Sequence, residues 1–115
     1  MMENYSQDSR GHNLTLGERV HAALVKSAEA KVAALKARKL ADRVYDRLLI
    51  DAQGKNSGER EARARTDARY VSVDDAAIEA ESAHILVKAD ADGLAIVFEQ
   101  WRTNSATARA EMSLR

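Results

Sequence analysis

The residues with the clearest chemical potential are cations, which form two clusters in the first two thirds of the chain. They are Lys36, Arg38, Lys39 and Arg43, followed by Arg60, Arg63, Arg65 and Arg69. Ammonium and guanidinium groups clustered over a few helical turns can neutralise the phosphates of a nucleic acid. The eight residues are therefore candidate DNA-binding residues.

The charges of the chain are segregated, although they sum to zero. Residues 19–69 hold 13 basic and 7 acidic side chains, a net of +6, and residues 74–99 hold 1 basic and 7 acidic, a net of −6. One interpretation is that a basic helix lies beside an acidic helix in a hairpin, since charge runs usually pair locally or are solvated. The other is a nucleic-acid surface on the basic half. Both interpretations stay open at this stage.

No set of residues indicates catalysis, a metal or another cofactor. The three imidazoles, His12, His21 and His84, are far apart in sequence, and the chain has no Cys. Gly54-Lys55 resembles the end of a phosphate-binding loop, but the first Gly of that motif and a preceding strand are missing. The sequence therefore predicts a protein that is not an enzyme and needs no cofactor.

The composition predicts an all-α fold of long helices in a single small domain. The chain has 115 residues, of which 22 are Ala, with no Pro and 4% aromatic residues. Abundant Ala with 31% charged residues is typical of long helices packed side by side. Residues 1–13 are predicted to be a polar tail and residues 14–115 a coiled-coil-like antiparallel hairpin with a short C-terminal helix. No apolar run approaches membrane-spanning length, so we expect a cytoplasmic protein without membrane contact.

A capping box marks the start of the first helix. Thr15 and Glu18 have the required spacing, and Leu14 before them suits a hydrophobic staple. The helix is predicted from Leu16 to Ala52, where Gly54 and the polar residues after it end it. Two apolar stripes of different phase are expected along it, which indicates a break or two different neighbours. The first comprises Val25, Ala28, Val32 and Leu35, and the second Leu40, Val44 and Leu48.

A heptad pattern marks the last helix. Its seam residues follow one another in alternating steps of four and three: Val73, Ala77, Ala80, His84, Val87, Ala91, Leu94, Phe98 and Trp101. Ile78, Ile85 and Ile96 lie on a different face. A helix with two apolar faces usually has two partners, so these isoleucines are candidate oligomerisation residues of a homo-oligomer.

The helix boundaries after residue 54 are predicted from capping residues. Ser57 is the expected N-cap of a second helix, and Ser72, followed by Asp75, is a candidate for a fresh N-cap. Asn104-Ser105 is a candidate kink, which would leave residues 106–113 as a separate short helix.

The only Trp ends the seam and has basic neighbours. Trp101 is followed by Arg102, and Arg109 lies two turns later. Trp101 either plugs the end of a helical core or offers a stacking platform for bases or an anchor for a protein. The three residues are therefore candidate partner-binding residues.

The same terminal segment, Trp101 to Met112, resembles part of the UvsY family of phage recombination mediators. The shared pattern is a Trp, a polar Ser-containing stretch, a basic residue and then Glu-Met, matched here by Trp101, Arg109, Glu111 and Met112. The resemblance covers about a dozen residues, and the order of the surrounding segments differs. It implies a helical oligomer that binds single-stranded DNA and helps a recombinase displace single-strand-binding protein. It assigns no DNA contact to a particular residue.

Two functions follow as hypotheses. The first is a phage-type accessory protein of DNA recombination or replication that binds single-stranded DNA, a recombinase or single-strand-binding protein, or several of these, as a helical oligomer. The alternative is a coiled-coil interaction module, such as a scaffold, an adaptor or an inhibitor of a host protein, without nucleic-acid binding.

Overall fold

A computed structural model describes residues 15–54 and 56–114, and this part of the chain is all-helical. The helices are α1 (Leu16–Asp51), α2 (Ser57–Thr66) and α3 (Ala68–Ser113), with no strand among the described residues. The all-α prediction is confirmed. The predicted tail at 1–13, with His12, and the staple residue Leu14 lie outside the described residues.

The described residues form two compact units, to both of which α1 and α3 contribute. One unit is residues 28–86, and the other combines residues 15–27 with residues 87–114. None of the described helices is long and apolar enough to cross a membrane.

The capping box at the start of α1 is confirmed. The backbone N–H of Glu18 donates to Thr15 Oγ1 at 3.1 Å, and the N–H of Thr15 donates to Glu18 Oε1 at 2.9 Å. These bonds satisfy two of the amides that a helix start leaves without a partner. They also lower the pKa of the Glu18 carboxyl, chiefly through the backbone bond from Thr15.

Two of the predicted caps are wrong by a few residues. Asn56, not Ser57, caps α2, because its side chain accepts the N–H of Glu59 at 2.9 Å. Asp67, not Ser72, caps α3: its Oδ1 accepts the N–H of Arg69 at 2.8 Å. Asp67 directly follows the end of α2, so its carboxylate caps the free amides of α3 five residues before Ser72 in the chain.

The C-terminal part of α3 is not a separate helix. The helix continues through Asn104 and Ser105 to Ser113. No Pro or Gly interrupts it there, and its backbone hydrogen bonds outweigh the modest helix propensities of Asn and Ser.

The core of unit 28–86 consists mainly of alanine. Ala34, Ala41 and Leu48 of α1, Ala64 of α2 and Ala77 of α3 are buried, with Ala41 and Ala77 0% exposed. α1 and α3 run antiparallel in this unit, since Arg38 reaches Asp74 and Glu81 while Tyr45, further along α1, meets Tyr70. Small side chains let two helix backbones approach closely, so the unit needs few large residues.

The stripe predicted for the first half of α1 is wrong. Val25, Val32 and Leu35 are exposed, Leu35 by 62%, and Leu40 of the second stripe is 51% exposed. The sheltered face in unit 28–86 follows heptad steps instead, and Val44 and Leu48 belong to it. It comprises Ala30, Ala34, Ala37, Ala41, Val44 and Leu48. The helix needs no break between residues 35 and 40. Its sheltered residues, mostly alanines, follow one continuous heptad phase, whereas the larger apolar residues do not.

The predicted seam of α3 is confirmed in each unit, except at its end. Its members are buried or half-buried from Val73 to His84 in unit 28–86, and from Val87 to Phe98 in the other unit. In the latter, the Phe98 ring lies against Gly17 of α1, where a Cβ would be 3.7 Å from the ring. Trp101 is 56% exposed, so the sheltered stripe ends at Phe98 and Trp101 is not a core plug.

Candidate nucleic-acid and partner surfaces

The Arg38 side chain forms hydrogen bonds with two carboxylates of α3. Its Nη1 donates to Asp74 Oδ1 at 2.8 Å, and its Nε and Nη2 donate to the two carboxylate oxygens of Glu81 at 3.1 and 2.8 Å. These hydrogen bonds, with that to Glu81 first, raise the pKa of the guanidinium and lower the pKa of the Glu81 carboxyl. Arg38 is therefore a weaker DNA-binding candidate than its neighbours, and at this point the charge segregation serves the hairpin.

The other members of the first cluster face outward. Lys36, Lys39 and Arg43 are exposed and form no ion pair with a described residue. Their spacing of three and four residues places them on one side of α1. Arg47 continues this side one turn later, is 79% exposed and approaches Asp51 only to 3.9 Å. We call Lys36, Lys39, Arg43 and Arg47 the basic face.

The basic face keeps a positive balance despite nearby carboxylates. Asp42 and Asp46 are exposed on α1 and border it on one side, but neither forms an ion pair with a described residue. With Asp51, which lies 3.9 Å from Arg47, four cations stand against three carboxylates, and the net charge of +1 attracts anions. Arg47 was not among the sequence-predicted residues, although its position four residues after Arg43 is a signal that identifies it.

The second cluster is largely neutralised by its own neighbours. Arg63 pairs with Glu59 at 3.5 Å, and Arg65 with Glu61 at 3.8 Å. Arg69 donates to both oxygens of Asp67, at 3.0 Å from Nε and 2.9 Å from Nη2. Of the four candidates only Arg60 forms no ion pair with a described residue, and it is half-buried. This cluster is consequently a weaker candidate for phosphate binding than the basic face.

The Asp67–Arg69 ion pair shifts the pKa values of both side chains. The hydrogen bonds from the Arg69 side chain and backbone lower the pKa of Asp67 to about 2. The same contact raises the pKa of Arg69. Asp67 therefore stays ionised over the whole physiological range and holds Arg69 near the start of α3.

The three predicted partner-binding residues line one shallow groove. Trp101, Arg102 and Arg109 border a space of about 460 Å³ in the unit formed by residues 15–27 and 87–114. The Trp101 indole stacks on Phe98 with ring centroids 6.0 Å apart and an angle of 19°. Arg102 lies 5.8 Å from the Phe98 centroid and donates to Glu99 at 3.1 Å. An exposed aromatic face beside guanidinium groups suits a base or a partner side chain.

The three candidate oligomerisation residues are all exposed. In unit 28–86, Ile78 is 49% and Ile85 66% exposed, and in the other unit Ile96 is 60% exposed. Val71, seven residues before Ile78, continues the pattern and is 43% exposed, although it is not among the sequence-predicted residues. We call Val71, Ile78 and Ile85 the outer stripe. Solvent-exposed apolar residues repeated every seven positions are typical of a helix surface that meets another helix.

Within the described part of the chain, no group of His, Asp and Glu residues is arranged to hold a metal ion. His84 occupies its seam position and is half-buried.

Comparison of the chain with protein-family models, with curated proteins and with solved structures finds no match. The resemblance of residues 101–112 to the UvsY family therefore stays a prediction.

Proposed function

We propose that this protein is a non-enzymatic, self-associating helical accessory protein of phage-type DNA recombination or replication, which binds single-stranded DNA through the basic face. The observation that carries the proposal is the basic face itself: four outward cations lie on one side of α1, and none is hydrogen-bonded to a carboxylate of a described residue. The terminal resemblance to UvsY-like mediators supports the choice of DNA and of a recombinase or single-strand-binding protein as partners. The bacterial host cytoplasm is the corresponding compartment.

Self-association would strengthen weak phosphate contacts. One chain offers only four outward cations in the basic face, and such contacts are individually weak in water. Copies joined through the exposed outer stripe would present several basic faces to one strand, which raises the overall affinity. The Trp101 groove would add a stacking surface or an anchor for the recombinase.

The proposal predicts a specific salt dependence. Each phosphate contact on a single strand contributes a slope of about −0.7 to log K against log salt. Four contacts per chain give a slope of about −3, so a fourfold rise in salt should weaken binding by roughly 50-fold. Fluorescence anisotropy of a labelled single-stranded oligonucleotide measures this slope.

Paired charge reversals test the position of the site. Lys36→Glu with Lys39→Glu should abolish oligonucleotide binding, because both residues lie in the basic face. Lys26→Glu with Lys31→Glu is the matched control, since it changes the net charge equally at exposed positions of α1 outside that face. Equal losses in the two variants, or no binding at low salt by the unmodified protein, would refute DNA binding at the basic face.

The alternative function, an interaction module without nucleic-acid binding, is favoured by a different observation. Arg38 engages Asp74 and Glu81, so part of the charge segregation has a structural use. A module of this kind would use the outer stripe and the Trp101 groove for protein partners. Capture of a host protein that survives nuclease treatment and is lost on Trp101→Ala would support it.

A further inference from the structure

An apolar groove with arginines along its border lies in unit 28–86, between the end of α1 and the start of α3. Its volume is about 680 Å³, within the range of ligand-binding clefts. Val44 and Leu48 of α1 and Val73 of α3 form an aliphatic floor. Leu48 is buried and the two valines are half-buried, so the floor is a continuation of the core that remains accessible from outside.

Three guanidinium groups line the same groove. Arg43 and Arg47 lie one turn apart on α1, and Arg69 lies on α3. Arg43 forms no ion pair with any residue that the structure describes, and Arg47 is 3.9 Å from Asp51, beyond hydrogen-bonding distance. Arg69 uses Nε and Nη2 for Asp67, which leaves its Nη1 for a ligand. The groove therefore combines an apolar floor with three guanidinium groups from both helices, whose net charge is +1 once the Asp51 and Asp67 carboxylates are counted.

We propose that this groove binds a short acidic segment of a partner protein, whose apolar side chains lie on the floor and whose carboxylates pair with the three arginines. The charge complementarity selects an anionic occupant, since planar guanidinium groups match carboxylates. Cations spaced along two helices suit a chain with several carboxylates better than a single anion. This site goes beyond the DNA binding proposed above and takes a different ligand, although Arg43 and Arg47 belong to both the groove and the basic face.

The floor distinguishes an acidic peptide from single-stranded DNA. The lining residues include no aromatic ring on which a base could stack, so for a single strand the floor adds nothing to the charges of the basic face. Aliphatic floors instead receive the apolar anchors of peptide segments. The Trp101 groove, which has an aromatic ring, lies in the other unit.

Opposite charges introduced at Ser72 test the proposal with a matched pair of variants. Ser72 is exposed and lines the groove without belonging to the core. The probe is a fluorescein-labelled synthetic peptide in which Glu and Asp alternate with Leu, and anisotropy is measured with the full chain. The peptide should bind the unmodified protein, about tenfold more weakly to Ser72→Glu and at least as well to Ser72→Lys. Circular dichroism of both variants checks that the helices are intact.

Two outcomes would overturn the proposal. They are equal peptide affinity of the two Ser72 variants, and equal affinity for a control peptide with Gln and Asn in place of Glu and Asp. The Lys36→Glu and Lys39→Glu variant separates this site from the DNA site, because neither residue lines the groove. This double variant should still bind the peptide but no longer bind the oligonucleotide. If it loses both, the groove is not an independent site.

Discussion

Substitution of Ala77 by Leu tests whether α1 and α3 are in close contact in unit 28–86. Ala77 is 0% exposed, as is Ala41 on α1. Three added carbon atoms at such a site would force the helices apart or the side chain into a strained rotamer, at a cost of about 1–3 kcal/mol. If the helices left room, the same Leu would instead gain about 2 kcal/mol from burial. The sign of the change therefore decides between close and loose packing.

The assay is thermal unfolding followed by circular dichroism at a fixed protein concentration, because self-association makes Tm concentration-dependent. A loss of about 2 kcal/mol should lower Tm by on the order of 10 °C. Ala76→Leu is the matched control, since Ala76 is the preceding residue of the same helix and is exposed. It should leave Tm within a few degrees, as Leu and Ala have similar helix propensities. A Tm for Ala77→Leu equal to or above that of the control would refute the close packing of the alanine seam.

Three further perturbations have defined outcomes. Gly93→Ala should raise the free energy of unfolding by about 0.5–1 kcal/mol in a denaturant titration, because a Cβ at this helical position meets nothing within 4 Å; a decrease would contradict that account. Ile85→Ser should reduce the mass measured by sedimentation while preserving helicity, since Ile85 is exposed in the outer stripe; an unchanged oligomer, or a monomeric unmodified protein, would exclude the stripe as an interface. Glu81→Gln should make Tm fall less steeply as the pH is lowered on the acid side of the profile. Arg38 lowers the pKa of Glu81 below its ordinary value of 4.5, so the pair stabilises the fold above pH 4.5 and this contribution is lost as pH falls through the lowered pKa. An identical acid limb in both proteins would show that the pair adds nothing.

The ends of α1 and the α3 seam were predictable because their signals are local. Thr15 and Glu18 need only their spacing to form a capping box, and α1 ends at Asp51, one residue before the predicted end. In α3, Val73, Val87 and Phe98 alternate with alanines in a regular heptad, so large residues reveal the phase. The predicted caps of α2 and α3, Ser57 and Ser72, were wrong, because Asn56 and Asp67 are equally competent caps and stand earlier in the chain.

The sheltered face of α1 was not predictable from the large apolar residues. Val32 and Leu35 suggest one phase, but they are exposed, and the buried residues between Ala30 and Ala41 are alanines. Alanine is also the best helix former and is frequent on exposed surfaces of this chain. Its position alone therefore does not show which face is buried. Only the larger seam residues Val44 and Leu48, which continue the same heptad steps, identify the face of α1 that is sheltered.

The phase of α1 also separates Arg38 from the cations beside it in sequence. Two residues apart on a helix, Lys36 and Arg38 point about 200° away from each other, so they cannot both face outward once the seam is known. With Ala34 and Ala41 buried, Arg38 must lie beside the seam, where Asp74 and Glu81 of α3 meet it. Lys36 then lies outward on the other side. The alanine seam thus determines which cations neutralise the hairpin and which remain for a ligand, and the two hypotheses about charge segregation apply to different sides of one helix.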